Sequence, residues 1–142
     1  MPELLQNSDV AIEPASLLGK AGIASARLAY RKFREIFSTP SWKNLQGQGA
    51  HVQRPLWAST GNKDPLYDDL RYVESLIGPD TVNTLPDETI EILAAKGQLR
   101  KNSIEEGLDE ALKLPDQLKK FDIDLEIVTQ QLENEGIRKF IE

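Results

Sequence analysis

A chain of 142 residues, 39% apolar and 28% charged, holds enough material for one domain with a real core. Its net charge of -6 and the interleaving of 17 basic with 23 acidic residues argue against a nucleic-acid partner, which would need clustered Lys and Arg. With no cysteine and one histidine, His51, the chain has no disulfides, no thiolate nucleophile and no Cys- or His-rich metal cluster, which fits a reducing compartment.

No apolar run approaches the roughly 20 residues of a membrane span, and the first residues lack the basic-then-apolar order of a secretory signal. No membrane partner and a cytoplasmic location are the expectation. Residues 1–16 mix Pro2, Asn7, Asp9, Glu13 and Pro14 with scattered Leu and Val and read as an irregular lead-in. A helix is predicted from Ser16 or Lys20 to just before Pro40, with Leu17, Ile23, Ala24, Leu28, Ala29, Phe33, Ile36 and Phe37 on its apolar side. Its basic side (Lys20, Arg27, Arg31, Lys32, Arg34) would suit a membrane surface, but charge and apolarity segregate too weakly, and packing on a core is preferred.

Ser41 to Gly49 reads as a short helical turn and a linker. Arg54 to Ser59 is the first predicted strand, with Pro55 confined to its start because it lacks an amide donor. A helical pattern then runs through Leu66, Leu70, Val73, Leu76 and Ile77 to the Gly78-Pro79 stop, and Thr81 to Leu85 is the second strand. Pro86 opens a third helix, whose acidic first turn suits the positive end of the helix dipole and which Gly97 ends. Ser103 with Glu106 predicts a capping box for a helix to about Lys113, and Pro115 begins another. Asp124 caps a last helix carrying Leu125, Val128 and Leu132 as a core stripe, with an interruption at Gly136.

The carboxylates fall on helix faces and caps, where solvation or capping explains them, so no acid–base pair is assigned. Ser59 with His51 lacks a nucleophile elbow and an orienting acid. The stronger constellation is Ser59, Thr60, Gly61, Asn62 and Lys63, where a strand breaks into a glycine-containing turn. Backbone amides and a compact ammonium there can hold the phosphate of a sugar phosphate, with Asn83 and Thr84 of the next strand adjacent; an ordinary polar loop between strand and helix accounts for the same residues.

The stretch RPLWASTGNKDPLYDDLRYVESLIGPDTVNTLPDETIE resembles the closing region of bacterial transaldolases, and GKAGIASARLAYRKFREIF resembles the helix before it. The likeness extends over residues 17–142. It implies an α/β fold, here a partial TIM (β/α)8 barrel: the last two strands, seventh and eighth, with an α-rich remainder. A complete barrel takes about 250 residues. The implied activity is transfer of a dihydroxyacetone unit between sugar phosphates through a lysine Schiff base, in the pentose phosphate pathway, with no metal or organic cofactor. Ser59 and Lys63 are the positions carried over as substrate phosphate ligands.

In that family the Schiff-base lysine lies on the fourth strand and its acid and base carboxylates on the first and third, all of which would precede Met1. No catalytic residue is therefore assigned in this chain. A Schiff-base lysine must spend time unprotonated, which desolvation achieves, whereas Lys63 in a polar turn suits an anion clamp. The expectation is a C-terminal fragment, inactive alone, completed by a separate N-terminal transaldolase portion or by self-association. The competing expectation is a non-catalytic helical binding or interaction module, or a gene remnant, that keeps the phosphate-binding turn.

Overall fold

The computed structural model describes residues 12–141. Of the expected lead-in, residues 1–11 lie outside the described residues, and Pro14–Leu17 forms a 3-10 turn that buries Leu17. Eight regular elements follow: α1 (Ala21–Ile36), α2 (Pro40–Gly47), β1 (Leu56–Trp57), α3 (Arg71–Ser75), β2 (Val82–Asn83), α4 (Asp87–Lys96), α5 (Leu108–Lys119) and α6 (Leu125–Ile141), with a 3-10 turn at Ser103–Glu105.

α1 is the spine. Its N-terminal half places Ala24 in a cluster with Leu17, Ala111, Leu114 and Leu118, so that α5 packs along it. Its C-terminal half places Tyr30 and Phe33 in a second cluster with Leu76 and Ile104, against which Val52 and Trp57 rest. Tyr30, absent from the predicted apolar side, is among the most buried residues because its ring fills this cluster while its hydroxyl donates to the Pro79 carbonyl at 3.1 Å. Burial raises its pKa above the ordinary phenol value. Ala29 and Ile36, expected on the apolar side, are exposed. A run of aromatic contacts, Phe33 to Phe37 at 5.0 Å and Phe37 edge-on to Trp42 at 4.5 Å, ties α2 to the end of α1. Thr39 caps α2 by accepting from the Trp42 amide, and Pro40 occupies its first turn.

The strands lie where the sequence predicts them but are shorter. They pair in parallel with Leu56 opposite Val82 and Trp57 opposite Asn83, held by Val82 N–H to Pro55 O and Thr84 N–H to Trp57 O, both 2.9 Å. Pro55 offers no donor at one end, and Ser59, at φ 53°, turns the chain out of extended geometry at the other. Both strands are edges of a two-stranded sheet. Trp57 faces the helices, whereas Leu56 is 53% exposed on the opposite face.

Four further expectations need correction. The helix predicted from Leu66 shrinks to Arg71–Ser75, because the Asp64 and Asp68 carboxylates accept from the amides of Leu66 (3.0 Å) and Leu70 (2.8 Å) and hold the segment in turns. Ser103 caps no helix: its hydroxyl accepts from the Ile77 amide at 3.2 Å, and Glu106 pairs with Arg100 at 3.1 Å. α5 begins at Leu108 and runs through Pro115, because Ala111, Leu114 and Leu118 form a continuous buried stripe on either side of the proline. α6 is unbroken at Gly136 and buries none of its residues; Leu125 is only partly covered, and Val128, Leu132, Ile137 and Phe140 are exposed. Asp124 does accept from the Glu126 amide at 2.9 Å, as a cap should.

Candidate functional site

The two strands end side by side, and side chains stitch the ends together. Thr60, buried, donates its hydroxyl to Asn83 Oδ1 at 2.6 Å, and its amide donates to the Thr84 carbonyl at 3.4 Å. The Ser59 amide donates to Thr84 Oγ1 at 3.4 Å. Gly61 then passes so close to the start of α4 that a Cβ there would lie 2.9 Å from Thr89 Oγ1 and 3.1 Å from Pro86 Cγ. Glycine permits this close approach, which a Cβ would crowd.

Asn62 shapes the rest of the loop from within. Its Nδ2 donates to the carbonyls of Asp64 (2.7 Å) and Tyr67 (2.9 Å), and its Oδ1 accepts from the Asp64 amide at 3.2 Å. The Thr60 hydroxyl and the Asn62 side-chain amide, two polar groups of the predicted turn, therefore serve the loop. So does the Asn83 carboxamide oxygen. Ser59 and Lys63 remain exposed at the rim, and Lys63 forms no ion pair among the described residues. The loop accordingly presents one hydroxyl and one ammonium on a framework braced by internal hydrogen bonds. What it can do chemically is hold an anion; neither strand carries a lysine.

His51 is exposed. Among the described residues no three His, Asp or Glu side chains gather as metal ligands, and no helix is long and apolar enough to cross a membrane. A cleft of about 750 Å³ lies elsewhere, between α1 and α5, and none of the strand-end residues line it. The strand ends, and not that cleft, form the candidate site, because binding groups of α/β proteins gather where parallel strands stop. Sequence reasoning missed the role of Thr89; a short hydroxyl side chain one turn into the helix after the second strand is the signal that could have marked it.

Parallel strands, each followed by a helix, with polar loops at their C-terminal ends, place the chain among α/β proteins of the strand-helix repeat type. The chain belongs to the transaldolase/fructose-6-phosphate aldolase family, whose model matches residues 4–142. It is 47% identical over 128 residues to a Streptomyces avermitilis protein named transaldolase 2, covering 90% of this chain and 34% of that protein. A transaldolase of Mycolicibacterium smegmatis is 45% identical over the same shares, and transaldolase 2 of a Nostoc strain is 44% identical over 94% of this chain and 36% of its own length. The chain thus spans about a third of the length of these relatives.

Proposed function

We propose that this chain forms the C-terminal part of a transaldolase-type (β/α)8 barrel, with β1 and β2 as its seventh and eighth strands, and that Ser59 and Lys63 grip the phosphate of a sugar phosphate substrate. The observation that carries this reading is the position of the two family-like blocks: WASTGNKDP and DTVNTLP fall at the ends of neighbouring parallel strands. The pair has helices on one face and an open face at Leu56, and parallel strands are ordinarily covered on both faces. On this reading the amine that attacks the ketose carbonyl, and the carboxylates that move its protons, come from strands outside these residues. This chain contributes the anion clamp, and dihydroxyacetone transfer requires the remaining strands.

Borohydride trapping with fructose 6-phosphate tests it. The chain alone should give no covalent adduct. Mixed with a polypeptide carrying the first two thirds of a related transaldolase, it should permit an adduct on that partner. An adduct on this chain would overturn the reading. In the reconstituted enzyme Lys63→Ala should weaken binding of phosphorylated sugars by about tenfold or more, the scale of one lost charge-assisted hydrogen bond, and leave unphosphorylated ones unchanged. A second reading, a non-catalytic interaction module, is favoured by α6, whose Phe140 is 96% exposed beside other uncovered apolar residues. Failure of reconstitution, together with capture of a protein partner that α6 substitutions abolish, would select it.

A further inference from the structure

Arg27 is a partly buried cation that forms no ion pair among the described residues. It projects from the middle of α1, where Nη2 donates to the Ser103 carbonyl at 3.2 Å and Nε, fully buried, meets no protein acceptor among the described residues. Glu106 and Glu110 lie near enough to act through space, yet neither forms an ion pair with it. Burial lowers its pKa from the ordinary guanidinium value, as expected where desolvation outweighs neighbouring acids. Gly107, at φ +61°, makes room for it: a Cβ there would stand 2.9 Å from Nη1.

This guanidinium forms part of the wall of the 750 Å³ cleft between α1 and α5. Leu17, Ala24, Ala111 and Leu114 line the same cleft and give it an apolar floor. Its charged lining is unbalanced, with Lys20, Arg27, Arg71 and Lys113 against Glu13 and Glu110. Arg71 is already engaged, donating to the Gly19 carbonyl and stacking over Tyr67, which leaves Lys20, Arg27 and Lys113, and of these Arg27 is the one partly buried in the cleft wall. The volume is that of a small-molecule site, and apolar walls with a few convergent polar groups are the usual composition of one. A partly desolvated guanidinium gains from a planar or tetrahedral anion that meets a donor left free on it.

We infer that this cleft binds a small amphipathic anion, its carboxylate or phosphate head on Arg27 and Lys20 and its alkyl body over Leu17, Ala24, Ala111 and Leu114. The site is separate from the strand-end loop and does not depend on the transaldolase reading. Titrating the full chain with octanoate, octyl phosphate, octanol and inorganic phosphate, followed by amide NMR shifts, tests it. Octanoate or octyl phosphate should bind at least about tenfold more tightly than octanol or inorganic phosphate, the better of the two naming the head group. Shifts should centre on Leu17, Ala24, Ala111 and Leu114. Arg27→Gln should reduce affinity to that of octanol, Arg27→Lys should restore part of it, and Gly107→Ala should weaken it by crowding Nη1. Equal binding of octanol and octanoate, unchanged affinity in a folded Arg27→Gln, or shifts centred on Ser59 and Lys63 would each overturn the inference. So would octanoate binding that falls as the chain self-associates, since a second copy would then own the cleft.

Discussion

Gly61→Ala measures how tightly the strand-end loop is fitted to α4. An added Cβ would sit 2.9 Å from Thr89 Oγ1 and 3.1 Å from Pro86 Cγ, where ordinary contacts are about 3.5–4.0 Å. Thr89 is 6% exposed and β-branched, so its hydroxyl has little room to rotate away. The loop or the helix start must shift by about half an ångström. Overpacking of this size costs about 1–3 kcal/mol, and Gly61 has no left-handed φ that alanine would strain. Loss of unfolded-chain freedom returns about 0.4–1 kcal/mol, leaving a net cost of about 0–2.6 kcal/mol, centred at ~1.3 kcal/mol. The assay is urea denaturation followed by the fluorescence of Trp42 and Trp57, with the same change made in a Thr89→Ala background. Removing Oγ1 leaves only the Pro86 contact, so the cost of Gly61→Ala should fall by about 1 kcal/mol there. If the two substitutions add within about 0.5 kcal/mol, the steric account is wrong.

Ile104→Ala, at a residue 1% exposed that joins the Ser103–Glu105 turn to Tyr30, Phe33 and Leu76, should cost about 2–5 kcal/mol in the same assay. A cost under about 1 kcal/mol would mean that this cluster is not the core of the fold. The Arg100 guanidinium, hydrogen-bonded to Glu106, holds that carboxyl below its ordinary value, so its contribution is whole above the unfolded carboxylate pKa and is lost as pH falls through the lower folded one. Both partners are exposed, so Glu106→Gln should cost little at neutral pH, and its difference from the parent should vanish in acid; a difference that grows in acid would contradict this.

Much of the fold was legible: α1 and the places of both strands follow from apolar patterning, and α4 from Pro86, its acidic first turn and Gly97. What misled were residues whose local preference was overruled by contacts distant in sequence. Ser103 satisfies a helix-cap pattern, but the Ile77 amide, 26 positions away, takes its hydroxyl. Pro115 reads as a helix start, yet the buried stripe from Ala111 to Leu118 keeps α5 continuous around it. In the loop after β1 the error ran the other way: apolar spacing suggested helix, and short-range carboxylate-to-amide bonds from Asp64 and Asp68 prevailed. For the candidate site, Ser59 and Lys63 were legible as residue types at a strand end. The inward roles of Thr60 and Asn62 were not, because nothing in one sequence says which of several polar side chains a turn consumes for itself.

That division within the loop bears on how much of the proposed function could survive without the remaining strands. Bonds within the chain brace the loop after β1, Thr60 to Asn83 and Asn62 to Asp64 and Tyr67, and Gly61 lies close against Thr89. On the proposed reading these internal bonds would preorganise the anion grip and lower the ordering cost that ordinarily weakens a flexible phosphate loop. Carbonyl chemistry has the opposite character. It needs an amine desolvated by walls on several sides, which on the proposed reading the strands outside these residues supply. On the proposed reading Lys63 should hold a phosphate weakly in the isolated chain and with the same loop geometry as in a completed barrel. Affinity would then rise on completion through added ligands from other strands, not through rearrangement of this one. Amide shifts of residues 59–63 that change little when the N-terminal portion is added, while sugar phosphate affinity climbs, would match that order; large shifts in the loop itself would show that its shape is set from outside.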